Sequence, residues 1–140
     1  WREPGAASAR RVALPMTWPA GLTAHVRLVR SFQRPPIDPA REALALRLES
    51  VSGLVAVRLN GRELARPDAG TTALCLPLDD PLPPRNVLVL EVDPPTPGRA
   101  GADAEPWGAI ALVIRPTSSD NAPGHHPGGE ESLGGCDVLP

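Results

Sequence analysis

Lysine and tyrosine are absent from this 140-residue chain, phenylalanine occurs once, and aromatic residues make up only 3% of it. Without lysine there is no amine for a Schiff base and no ammonium for a phosphate loop; all 14 basic residues are arginine. So little aromatic mass leaves Val and Leu to fill any interior. The net charge of −2 is close to neutral, which gives no field to draw nucleic acid or an anionic membrane. No apolar run approaches the roughly 20 residues a membrane helix needs. No signal-peptide pattern opens the chain, and a start at Trp1 is expected of a trimmed or excerpted chain, so the compartment stays open. Two cysteines, Cys75 and Cys136, make no zinc framework. Cys75, between Leu74 and Leu76, is expected to be a free thiol acting as a small packing residue, with no disulfide to Cys136.

Proline and glycine are plentiful, at 19 and 13 residues. Proline breaks helices because it lacks the N–H and crowds the preceding turn, so the chain is expected to be rich in turns. Between the turns the apolar residues recur with a period of two, the mark of half-buried strands. Strands are expected at 12–16, 24–32, 43–50, 54–59, 71–78, 86–93 and 108–115. In the third, Leu44, Leu46 and Leu48 alternate with Ala45, Arg47 and Glu49. In the fourth, Val55, Val57 and Leu59 are expected to share a row. Asn60-Gly61 suits the positive φ of a type I′ turn and predicts a hairpin over 55–64. A short helical turn fits 39–42. The expected fold is an all-β antiparallel sandwich over residues 12–116, after a loose lead at 1–11. Residues 117–140 are too poor in apolar surface to offset the entropy of ordering, and are expected to form a flexible Gly/Pro-rich tail.

The ordered set of segments resembles a known module. Leu14-Pro15 with Trp18, then 26–32 (VRLVRSF), 46–51 (LRLESV), 55–61 (VAVRLNG), 86–92 (NVLVLEV) and 107–110 (WGAI) follow one another. The same order occurs in the N-terminal sugar-binding domain of family 2 glycoside hydrolases, the β-galactosidase and β-glucuronidase group. The resemblance covers about 12–116 and implies a galactose-binding-domain-like jelly roll. The chain departs from the pattern at 76–82 (LPLDDPL) and at Arg85. In that family the catalytic carboxylates sit on a separate barrel of about 250 residues, so the resemblance implies an accessory module rather than an enzyme.

Candidate chemistry is sparse. Asp79-Asp80 and Glu130-Glu131 are the paired carboxylates a glycosidase would need, but the first pair reads as turn residues before Pro81 and the second lies in the tail. His125-His126 with Glu130, Glu131 and Cys136 could bind a transition metal only by ordering a Gly/Pro-rich segment. No cofactor is indicated, and no clustered Asp/Asn motif calls for structural calcium. Sugar binding needs an aromatic face and polar neighbours. Trp18 and Trp107 are the available platforms, and Arg99, Asp103 and Glu105, in the long loop before Trp107, are the best neighbours. The alternative is that the two indoles cap opposite parts of the core. The sequence thus points to a non-catalytic accessory module binding carbohydrate or a protein partner, with neither nucleic acid nor membrane. A structural or interaction sandwich in a larger assembly is the second reading. Its signature is apolar area exposed at Val29, Ala45, Ala56, Val87, Val89 and Val113. A glycoside hydrolase excerpt lacking its barrel is the third.

Overall fold

The computed structural model describes residues 11–19, 24–94 and 106–117. Over these residues the chain is all β. Strands β1 (Val26–Gln33), β2 (Glu42–Glu49), β3 (Leu54–Leu59), β4 (Arg62–Ala65), β5 (Ala73–Leu78), β6 (Arg85–Val92) and β7 (Ala109–Pro116) follow in order. They form two antiparallel sheets, ordered β1-β6-β3-β4 and β5-β2-β7. No helix among the described residues is long and apolar enough to cross a membrane.

The alternation in the sequence decides which row faces inward. Leu44, Leu46 and Leu48 of the central strand β2 are buried. They align with Leu78, Leu76 and Leu74 on one side and Ile114, Leu112 and Ile110 on the other. From the second sheet, Val26 and Leu28, Val57 and Leu59, and Leu88, Leu90 and Val92 join the same apolar cluster. One core between two sheets is a β-sandwich, with aliphatic side chains supplying nearly all of it.

Turn chemistry holds the connections. Asn60 and Gly61 have φ of 52° and 83°, as a type I′ turn requires, and join β3 to β4. The Asn60 carboxamide reaches across to β6: its Oδ1 accepts from the Val87 N–H (2.8 Å) and its Nδ2 donates to Asn86 Oδ1 (2.9 Å). Asn86, fully buried, donates its own amide to the Pro83 carbonyl (2.9 Å). At 38–42 the chain makes one helical turn, in which the Asp38 side chain accepts from the Ala40 N–H and Glu42 Oε2 accepts from the Asp38 N–H. That reciprocal pairing suits a turn that goes straight into a strand.

Three expectations need correction. Val55 does not share a row with Val57 and Leu59, because a register shift between Leu54 and Ala56 turns Leu54 into the core and leaves Val55 unpaired. Segment 12–16 forms no strand of its own; Met16 makes an isolated antiparallel bridge to Trp107, and Pro15 has no N–H to extend it into a ladder. Cys75 is disulfide-bonded rather than free. Its Sγ also accepts from Arg115 (2.9 Å). Cys136 is the chain's only other cysteine; it and the rest of the tail from 118 lie outside the described residues.

Candidate functional site at the tryptophan end of the sandwich

One end of the sandwich gathers the residues of interest. The Met16–Trp107 bridge lays the 11–19 segment against the start of β7, with N–H···O distances of 2.9 and 2.7 Å. The Gly108 N–H then donates to the Ser50 carbonyl (2.9 Å). Gly108 has φ 86°, and a Cβ there would lie 3.3 Å from Leu14 Cδ2, so a glycine lets the two segments close up. Leu14 and Trp18 are partly buried against the core.

Trp107 and Trp18 do not cap opposite parts of the core; they meet. Their ring centroids are 5.1 Å apart at 62°, an edge-on contact. Trp107 is 3% exposed and its indole N–H donates to the Ser52 carbonyl (2.8 Å). Trp18 is partly exposed, and its Nε1 is the one buried side-chain nitrogen or oxygen among the described residues without a hydrogen-bond partner. Of the expected polar neighbours, Arg99, Asp103 and Glu105 lie outside the described residues.

A polar pair stands at the same end. His25 and Asp93 lie one residue beyond the Val26–Val92 pair that begins the β1–β6 ladder. His25 Nδ1 is 2.8 Å from Asp93 Oδ1, with the side chains 50% and 69% exposed. The Asp93 N–H donates to the Gly53 carbonyl (2.8 Å). Asp93 and the Trp107 indole are therefore anchored on the consecutive carbonyls of Gly53 and Ser52. This pair escaped the sequence reading because 67 residues separate its members and neither belongs to a motif; the only signal was that both sit where a strand pattern ends.

The remaining candidates are structural. Asp80 pairs with Arg62, and both are exposed. No group of three or more His, Cys, Asp or Glu among the described residues could hold a metal. The His125-His126 and Glu130-Glu131 candidates lie outside the described residues. On the outer face of the four-stranded sheet Arg58 bridges Glu91 (3.3 Å) and Glu63 (3.7 Å). Glu63 is held below the usual carboxylate range, first by its hydrogen bond from Arg66, while Arg66 is raised by the same bond. Of the six apolar residues that would mark an interaction face, Ala45, Ala56 and Val89 are buried, Val29 and Val113 half-buried, and only Val87 is exposed.

Compared with known proteins, the chain matches no family model and no curated sequence.

Proposed function

We propose that the chain is a non-catalytic accessory module that binds carbohydrate at the tryptophan end of its sandwich. The observation that carries this reading is the Trp18 indole N–H, out of water with no acceptor among the described residues. Such a group costs about 1–3 kcal/mol, and a sugar hydroxyl can supply the acceptor. A ligand would reach it only if the indole, partly exposed and packed edge-on against Trp107, turned outward on binding. The ordered resemblance of the sequence segments to the sugar-binding domain of family 2 glycoside hydrolases supports the same reading.

The test is a glycan-array screen of the intact chain and of Trp18→Phe, which keeps a ring and removes the N–H. Saturable binding to a defined glycan, weakened by the substitution in a folded variant, is the expected result. A folded chain that binds nothing on the array overturns the reading. It would turn attention to the second one, an interaction module in a larger assembly. The observation favouring that alternative is Ile114, which stands on the core-facing row of edge strand β7 yet is 48% exposed.

A further inference from the structure

We propose that Asp93, held in place by His25, is the hydroxyl-binding residue of this site, and that it selects neutral sugars bearing vicinal hydroxyls. The inference rests on the carbohydrate-binding reading and names the ligand class it would take. A carboxylate has two oxygens and about four lone-pair directions, and can accept from two adjacent hydroxyls at once. In Asp93 one oxygen is engaged by His25 Nδ1 at 2.8 Å. The other oxygen of this largely exposed side chain is turned to no other described group.

The pair is built for position as well as charge. Asp93 is tied through its backbone N–H to the Gly53 carbonyl, and the two backbones approach so closely that a Cβ on Gly53 would lie 2.0 Å from the Asp93 carbonyl oxygen. The imidazole then limits rotation of the carboxylate. Loss of rotamer freedom before binding lowers the cost of binding. Trp107 hangs from the neighbouring Ser52 carbonyl and touches Trp18, so the acceptor (Asp93) and the orphan donor (Trp18) belong to one small framework. Each sugar hydroxyl is both donor and acceptor, so different hydroxyls of one glycan can serve the two groups. A uronic acid or a sulfated sugar would set an anion against Asp93, and is disfavoured.

The experiment compares the intact chain with Asp93→Asn, His25→Gln and Trp18→Phe. All four are screened on an array of neutral and uronic-acid glycans, and the strongest neutral glycan is then titrated by calorimetry. Thermal unfolding of Asp93→Asn should stay near that of the parent, since the side chain is exposed and its backbone bond remains. The expected result is binding of neutral glycans by the parent chain. Asp93→Asn should weaken it by about tenfold to a hundredfold, the worth of a charge-assisted hydrogen bond, and His25→Gln by less. The preference against uronic acids should relax in Asp93→Asn. If the parent binds and Trp18→Phe weakens it but Asp93→Asn binds equally well, the assignment to Asp93 is overturned while the carbohydrate reading stands. If the parent prefers acidic glycans, the selectivity is overturned. If the parent binds no glycan, both fall together.

Discussion

Replacing Asn86 is the sharpest test of how the β3–β4 turn is locked to β6. Asn86 is fully buried and is the one buried polar residue of the described core. Its side chain accepts from Asn60 Nδ2 and donates to the Pro83 carbonyl, both at 2.9 Å. Asn86→Ala deletes both bonds, at about 1 kcal/mol each, and leaves a small void. Asn60 and Pro83 are exposed enough for water to take over part of the loss. The expected cost is about 2–3 kcal/mol, or roughly 10–20 °C in Tm for a domain of this size.

Asn86→Asp separates the two bonds. The carboxylate still accepts from Asn60, but it faces the Pro83 carbonyl with no proton and carries a charge out of water. Burial raises its folded pKa above the unfolded value of about 3.9. Such a group binds more protons folded than unfolded, so stability falls as pH rises between the two pKa values. Relative to the parent, Asn86→Asp should be closest in stability at about pH 4 and markedly weaker at pH 7. Urea unfolding of parent and both variants at the two pH values reads this directly. An Asn86→Ala variant within about 0.5 kcal/mol of the parent, or an Asn86→Asp variant whose deficit does not grow with pH, would refute the reasoning.

Other outcomes follow from the same geometry. Gly53→Ala and Gly61→Ala should differ sharply although both glycines have positive φ, 78° and 83°. The first drives a Cβ into the Asp93 backbone and should abolish folding or cost several kcal/mol, while the second meets open space and should cost about 1 kcal/mol. Equal effects in urea unfolding would contradict this. Leu90→Ala, at a fully buried site in the central strand β6, should cost about 2–5 kcal/mol by the same assay. Alkylation of the denatured, unreduced chain should label no cysteine, and reduction should expose two; a label on Cys75 before reduction would contradict its disulfide.

The sheets were legible because Leu44, Leu46 and Leu48, and Leu88, Leu90 and Val92, alternate without interruption, and because Asn-Gly dictates its own turn. The row in β3 was not, since a bulge inserts one residue without a composition of its own: Leu54 and Val55 look equally fit for the core. The disulfide was hidden because an alternating strand pattern around Cys75 reads the same for a free thiol and for a bonded one. The pairing of Trp18 with Trp107 was likewise invisible, as it depends on an isolated bridge at Met16 in a segment that Pro15 and Pro19 interrupt. His25 and Asp93 carry no motif; only the β1–β6 register puts them side by side.

In the proposed carbohydrate complex the Trp18 indole N–H gains an acceptor. The chain has three tryptophans, so a ¹⁵N-labelled sample gives three indole signals, assignable by Trp18→Phe and Trp107→Phe. During titration with an array-positive neutral glycan, the Trp18 indole proton should move downfield as it gains an acceptor, and the Trp107 signal, already bonded to Ser52, should move far less. Saturable glycan binding with the Trp18 signal unmoved, or no binding by the folded chain, would contradict the account.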